Sequence, residues 1–141
     1  MTGFVLDCSI AVAWCFEDEA SEACDALLER VRDEGALVPS LWYLELGNVM
    51  IQAERRGRIM PADVSIRLEL IGDLPISADN ETSPRALHEI LALARAQNLT
   101  TYDAAYLELA IRHGLPLATN DKRLRNAGIS TGVQVIPALG K

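Results

Sequence analysis

The chain has 141 residues, half of them hydrophobic, and a formal net charge of −7 at pH 7. This length predicts one domain over residues 1–141 with a full core, and the composition excludes a disordered chain. No apolar run is long enough for a membrane helix and no signal peptide is recognisable, so we expect a cytoplasmic protein. An acidic protein could bind nucleic acid only with another source of positive charge.

The cysteines all lie within the first 24 residues, at Cys8, Cys15 and Cys24. They are too few and too close to the start of the chain for a disulfide framework, and no His lies near them to complete a zinc site. We therefore expect three reduced cysteines that serve as small hydrophobic core residues.

Strand-length apolar runs alternate with helical patterns in the first half of the chain. Residues 4–7 predict the first strand, and Ser9 is expected to be the N-cap of a short helix. Apolar residues at helical spacing predict a second helix that ends at Gly35. A brief second strand is expected at residues 36–38, and a long helix at residues 41–56.

The same alternation continues in the second half and predicts an α/β fold with a parallel sheet. A helix is expected to begin at Pro61, followed by a weak strand at Ile76. Ser83-Pro84 should cap the next helix, whose apolar stripe is Leu87, Ile90, Leu91 and Ala94. The remaining expected elements are a helix at 102–113 capped by Thr100 or Thr101, a strand at 115–119, a helix at 121–127 and a strand at 133–136.

Four acids that are distant in the chain are expected to meet at one edge of this sheet. Asp7 and Asp121 follow the first and fourth strands, while Glu45 and Asp103 lie near the starts of helices. Parallel strands end at the same edge, where open α/β sheets place their sites. Glu45 also shares a helix face with apolar residues. Asp103 and Asp121 individually also suit helix N-termini, so the convergence is the stronger signal.

Four carboxylates in one cleft repel one another. Two of them about 4 Å apart repel by about 4 kcal/mol at an effective dielectric near 20, so a bound divalent cation is the simplest remedy. Oxygen ligands without Cys or His favour Mg²⁺ or Mn²⁺ over Zn²⁺.

The segments around these acids resemble a known family. They read Val-Leu-Asp-Cys-Ser at 5–9, Pro-Ser-Leu-Trp-Tyr-Leu-Glu at 39–45, Thr-Tyr-Asp-Ala-Ala-Tyr-Leu-Glu-Leu-Ala at 101–110 and Leu-Ala-Thr-Asn-Asp at 117–121. In order and spacing the chain resembles PIN-domain ribonucleases, most closely the VapC-like toxins of toxin–antitoxin pairs. Cys8 departs from the small residues usual at its position.

The resemblance has implications for the fold, the site and the partners. It implies a three-layer α/β/α fold with strand order 3-2-1-4-5, a homodimer and a cognate antitoxin that blocks the site. It also implies that four acids bind metal and that two hydroxyl residues assist them: Asp7, Glu45, Asp103, Asp121, Ser9 and Thr119. The acidic pocket would suit a basic segment of the antitoxin.

The expected activity is metal-assisted hydrolysis of RNA phosphodiesters by an endoribonuclease. Basic side chains that could contact RNA are Arg55, Arg56 and Arg58, or Lys122, Arg123 and Arg125.

Three alternatives remain open. A phosphoryl-transfer enzyme with a nucleophilic Asp7 would want an acid where Ser9 stands. A receiver-type domain could use Asp79, although Cys8 replaces its paired acid. A non-catalytic interaction domain is the third alternative.

Overall fold

A five-stranded parallel sheet forms the centre of the computed structural model, which describes residues 3–138. The strand order is β3-β2-β1-β4-β5, and the predicted fold class and order are confirmed. The strands are β1 Phe4–Leu6, β2 Ala36–Pro39, β3 Ile76–Asp79, β4 Leu117–Ala118 and β5 Val135–Ile136. The helices are α1 Cys8–Cys15, α2 Glu22–Glu34, α3 Leu41–Arg55, α4 Pro61–Gly72, α5 Thr82–Arg85, α6 Glu89–Gln97, α7 Thr101–His113 and α8 Lys122–Ser130, with a 3₁₀ turn at Glu17–Glu19.

The first strand is central, and its three residues Phe4, Val5 and Leu6 are fully buried. It pairs in parallel with β2 on one side and β4 on the other. An uninterrupted apolar run is typical of a strand that helices cover on both faces. The backbone N–H of Asp7 continues this ladder by donating to the carbonyl of Ala118 at 2.9 Å. Asp7 is therefore held rigidly where β1 ends, next to the end of β4.

The helices form two layers, one on each face of the sheet, as right-handed crossovers in this strand order require. In one layer α1 packs against α2 and α3, and α3 against α4. In the other layer α7 packs across β1, β2 and β4, with α6 and α8 beside it. Residues Ala104 to Ala110 of α7 are all buried, so this helix is part of the core.

Capping residues set the limits of α7, the helix that carries Asp103. The Thr100 hydroxyl accepts a hydrogen bond from the backbone N–H of Asp103 at 3.1 Å, and Gly114 ends the helix in the left-handed region with a φ of 65°. Helices commonly begin after a hydroxyl residue at the N-cap and end before a glycine. Of the two predicted caps, Thr100 is the one used.

One predicted cap is wrong. Ser9 is the second residue of α1, and Asp7 occupies the N-cap position. The Ser9 hydroxyl instead donates to the Asp7 carboxylate at 2.7 Å. The helix begins immediately after the strand, so the hydroxyl lies beside the strand-end acid rather than before the helix.

The helix expected to begin at Ser83-Pro84, with an apolar stripe from Leu87 to Ala94, is interrupted. Ser83 and Pro84 lie inside the short α5, and α6 begins only at Glu89. His88 has a non-helical backbone conformation, with φ −124° and ψ −97°, which breaks the phase of the apolar stripe. Leu87 is consequently 78% exposed, whereas Ile90 is buried as expected.

Smaller differences concern the C-terminal elements. Strands β4 and β5 are shorter than predicted, and α8 continues through Gly128 to Ser130. The glycine has a packing reason, because a Cβ at this position would lie 2.7 Å from the Val135 side chain of β5. The three cysteines are free and buried, as expected. No helix within residues 3–138 has the length and apolarity to cross a membrane.

Candidate active site

A cleft of about 450 Å³ lies at the carboxyl edge of the sheet. Its lining includes all four predicted acids, Asp7, Glu45, Asp103 and Asp121. Two of these acids follow strands and two lie in helices α3 and α7, so four separate segments of the chain contribute to one surface. The expected convergence is present in the structure.

Asp7 forms the floor of the cleft and is only 5% exposed. Its Oδ2 atom accepts hydrogen bonds from the hydroxyls of Ser9, at 2.7 Å, and Thr119, at 2.6 Å. Both predicted accessory hydroxyls therefore touch the same carboxylate oxygen. Within residues 3–138, Oδ1 accepts no side-chain hydrogen bond.

Thr119 connects Asp7 to the loop that carries Asp121. Its hydroxyl also accepts from the backbone N–H of Asp121 at 3.0 Å, and the Ser9 hydroxyl accepts from the backbone N–H of Asn120 at 2.9 Å. Thr119 is completely buried. These bonds fix the loop after β4 against the start of α1.

Asp121 serves as the N-cap of α8. Its Oδ1 accepts from the backbone N–H of Leu124 at 2.9 Å, so the helix-cap alternative is correct but uses only one carboxylate oxygen. Arg125 is buried and donates to the carbonyl of Thr119 at 2.9 Å. Arg125 therefore stabilises the loop after β4 and, being buried, is not available to contact RNA.

Glu45 and Asp103 form the walls. Glu45 is half-buried in the second turn of α3, and its Oε1 accepts a hydrogen bond from the hydroxyl of Tyr106 in α7. Asp103 lies in the first turn of α7, three residues before Tyr106. The hydrogen bond between Tyr106 and Glu45 therefore connects α7 directly to α3.

The lining of the cleft is acidic, and it includes no Lys or Arg among the described residues. Burial, together with the charge of Asp121, raises the pKa of Asp7, although the two hydroxyls oppose this shift. Burial and the neighbouring acids also raise the pKa of Glu45, and they raise that of Asp103 to about 6. Among the described residues, none of the four acids forms an ion pair with a basic side chain.

Comparison with known proteins gives the family of this chain. The PIN domain family matches residues 4–129. The chain belongs to the PIN-domain family. A relative from Mycobacterium tuberculosis named Ribonuclease VapC3 is 30% identical over 107 residues, covering 76% of this chain and 75% of the relative. A Pyrobaculum aerophilum protein, also named Ribonuclease VapC3, is 28% identical over 120 residues, covering 85% and 90% respectively. The predicted VapC-like PIN ribonuclease class is confirmed.

A solved structure supports the fold independently. The crystal structure of PAE2754 from Pyrobaculum aerophilum superimposes with a TM-score of 0.70, covering 96% of this chain and 90% of that chain at 24% identity. PIN-domain ribonucleases generally depend on a divalent metal. The roles of the individual side chains in this PIN domain remain predictions.

The donor set of this PIN domain suits a hard divalent cation, because carboxylate and hydroxyl oxygens surround a cleft with no cation of its own. Within residues 3–138, however, no three Asp, Glu, His or Cys side chains stand close enough to enclose a metal ion by themselves. Direct ligation by all four acids would therefore need side-chain movement. Binding through retained waters would need less, and Mg²⁺ usually keeps several waters and uses one or two carboxylates.

The raised pKa of Asp103 predicts a pH-dependent stability. Between the ordinary value of 3.8 and about 6 the folded PIN domain holds this proton more tightly than the unfolded chain, so stability falls as pH rises through that range. Asp103→Asn should remove the effect. In denaturant titrations with a chelator, we expect the variant to match the wild type near about pH 4 and to exceed it by about 1 kcal/mol above about pH 6, a figure reduced for solvent screening. A difference that does not change with pH would contradict this assignment.

Sequence reasoning missed several cleft residues. Glu19, Asn48 and Asn120 also line the cleft. Glu19 is held by Arg58, whose guanidinium also pairs with Asp18 at 2.8 Å. Glu19 and Asn120 lie in short polar segments outside the α-helices, where no periodic signal gives the direction of a side chain. Asn48 could have been found, because it follows Glu45 by three residues in α3 and so lies on the same helix face.

The pairing of Arg58 also bears on RNA binding. Its guanidinium lies 3.8 Å from the centroid of the Phe16 ring, in addition to its two ion pairs. Arg58 therefore stabilises the rim of the cleft. The other two arginines of its predicted basic group, Arg55 and Arg56, are exposed. In the second predicted group Lys122 and Arg123 are exposed next to Asp121, and the charge of Arg123 opposes the rise in the pKa of Asp103.

Asp79, the acid required by the receiver-type alternative, is not in this cleft. Its carboxylate accepts two hydrogen bonds from the Arg112 guanidinium, at 3.1 and 2.9 Å, and others from Thr82 and the backbone of Glu81. The Arg112 guanidinium lowers the pKa of Asp79 to about 2. A phosphoacceptor needs a free carboxylate oxygen, so this arrangement disfavours the receiver-type alternative.

Proposed function

We propose that this chain is a Mg²⁺- or Mn²⁺-dependent endoribonuclease and the toxin of a toxin–antitoxin pair. The observation that carries the proposal is a cleft lined by four carboxylates, none of which forms an ion pair with a basic side chain among the described residues. A charge imbalance of this kind is costly in a half-buried site unless a cation is bound. The relatives named Ribonuclease VapC3 supply the substrate class.

Asp7 and Asp121 are the first candidates for direct ligands. Each uses one carboxylate oxygen for protein hydrogen bonds and leaves the other without a side-chain partner in the described part of the chain. Glu45 and Asp103 would bind the same ion directly or through water. When bound, a divalent cation lowers the pKa of a water molecule and offsets charge that develops on the scissile phosphate.

The remaining residues position these groups. Ser9 and Thr119 hold Oδ2 of Asp7, which keeps its carboxylate in one orientation and favours its ionised form. Exposed Lys122 and Arg123 at the start of α8 would contact RNA phosphates beside the cleft. No protein nucleophile is required, because water is the attacking group in hydrolysis.

The acidic cleft also suggests how the activity is controlled. A basic segment of a cognate antitoxin would be attracted to four carboxylates and would exclude both cation and RNA. The net charge of −7 extends this attraction over the surface. We propose such an antitoxin and, on the family resemblance, a homodimer.

Metal removal tests the proposed activity. We expect excess chelator to abolish cleavage of a fluorescent single-stranded RNA, because the acids then have no cation with which to activate water. Adding Mn²⁺ or Mg²⁺ beyond the chelator should restore the rate, whereas Ca²⁺, which prefers longer bonds and more ligands, should restore much less.

Arg32→Ala provides a control for this assay, because Arg32 pairs on the surface with Glu29 and does not line the cleft. It should respond to chelator and metal as the wild type does. Cleavage that continues in excess chelator would exclude the metal-dependent mechanism.

A further inference from the structure

Tyr106 is a buried residue for which the mechanism above has no role. Its side chain is 0% exposed, and its hydroxyl donates to Oε1 of Glu45. Within residues 3–138 this is the only side-chain hydrogen bond of the hydroxyl. A buried tyrosine hydroxyl needs a partner, and here the partner is one of the four cleft acids.

The position of Tyr106 connects two walls of the cleft. It follows Asp103 by three residues in α7, and residues at this spacing lie on the same face of a helix. Glu45 belongs to α3, in the other helical layer and 61 residues earlier in the chain. One residue of α7 therefore holds the acid of α3 while its neighbour on the same face supplies another acid.

The Tyr106 hydroxyl matters for its hydrogen bond to Glu45 rather than for the space that it fills in the core. Phenylalanine would fill nearly the same space among the buried residues of α7, so the core does not require the oxygen. Without it, the half-buried Glu45 would lose its only side-chain donor among the described residues. Donors behind a metal-binding side chain orient it, and their removal typically weakens metal binding about 10–100-fold.

We propose that Tyr106 is a positioning residue that fixes the Glu45 carboxylate through Oε1 and leaves Oε2 available to the cation. The proposal rests on the proposed function, because it assumes that Glu45 helps to bind the metal. It goes beyond the four acids by assigning a role to a side chain that does not line the cleft.

A double-mutant cycle tests the proposal. Mn²⁺ binding is measured by calorimetry on the wild type, Tyr106→Phe, Glu45→Gln and the double variant. We expect Tyr106→Phe to weaken binding about tenfold and to raise the Mn²⁺ concentration for half-maximal RNA cleavage equally. The rate at saturating Mn²⁺ should stay within about threefold. In the Glu45→Gln background, Tyr106→Phe should add less than about twofold, because the interaction is already removed.

A matched control removes a hydroxyl elsewhere. Tyr43 is 50% exposed on α3, the helix that carries Glu45, and Tyr43→Phe should bind Mn²⁺ as the wild type does. Urea titrations of all variants measure stability separately, so a general loosening of the core is distinguished from loss of positioning.

The outcomes separate the two proposals. If Glu45→Gln weakens binding but Tyr106→Phe does not, the positioning role is wrong and the proposed metal site stands. If Tyr106→Phe weakens binding equally in both backgrounds, it does not act through Glu45 and the inference is overturned. Unchanged binding by Glu45→Gln would overturn the metal role of Glu45 and the inference with it.

Discussion

Replacing Asp7 with Asn is expected to lower RNA cleavage at least a hundredfold and leave the fold intact. Asp7 is the most buried of the four acids, and it is held by two hydroxyls and by the backbone ladder between β1 and β4. A neutral amide binds a divalent cation much more weakly than a carboxylate. Losing about 3 kcal/mol of charge stabilisation in the transition state corresponds to about a hundredfold in rate.

Stability should respond differently from activity. The Asn carbonyl can still accept from Ser9 and Thr119, and the cost of burying a charged group disappears. In the presence of chelator, Asp7→Asn should therefore be at least as stable as the wild type in urea titrations. Asp7→Ala is the poorer test, because it leaves both hydroxyls without their acceptor. Undiminished cleavage by Asp7→Asn would falsify the proposed mechanism.

Asp79→Asn should give the opposite pattern, with a loss of stability and no loss of chemistry. Asp79 and Arg112 form a bidentate ion pair, in which the Asp79 side chain is 8% exposed and the Arg112 side chain 16% exposed. Removing one charge from a buried pair costs about 3–5 kcal/mol, and Glu108 still pairs with Arg112 here, so we expect about 2–3 kcal/mol. Cleavage per folded molecule should equal that of the wild type.

The same ion pair gives a defined pH dependence. The pKa of Asp79 is lowered from 3.8 to about 2 in the folded state. The stability that ionised Asp79 contributes to the fold is therefore complete above about pH 4 and is lost as pH falls towards about 2. Asp79→Asn should approach the wild type in stability over this acid range. An equal difference at all pH values, or an unchanged urea midpoint, would show that the ion pair does not stabilise the fold.

The fold could be predicted because its signals are local. The apolar segment of β1 and the glycines after α2 and α7 depend on neighbouring residues, and such signals give the succession of strands and helices along the chain. The order of the strands within the sheet was instead implied by the family resemblance. The convergence of the acids followed from topology, since ends of parallel strands share an edge. The interruption before α6 could not be predicted, because only the backbone turn at His88 displaces Leu87 from the helical stripe.

Individual side-chain contacts could not be read from local sequence patterns. Nothing in the local pattern of α7 indicates that Tyr106 would meet Glu45, since a buried aromatic residue in a core helix needs no special explanation. Ser9 was assigned to a cap because hydroxyl residues usually serve as caps after a strand. Its actual partner depends on how closely α1 follows β1, which is a matter of one or two residues.

The order in which the strands are synthesised has a consequence for a nuclease. Asp7 is translated 112 positions before Thr119, whose hydroxyl orients it. At about 5–20 residues per second, a ribosome needs roughly 5–20 seconds to cover that distance. A nascent chain therefore has no assembled cleft until β4 can dock beside β1, so the site cannot form while Thr119 is still untranslated.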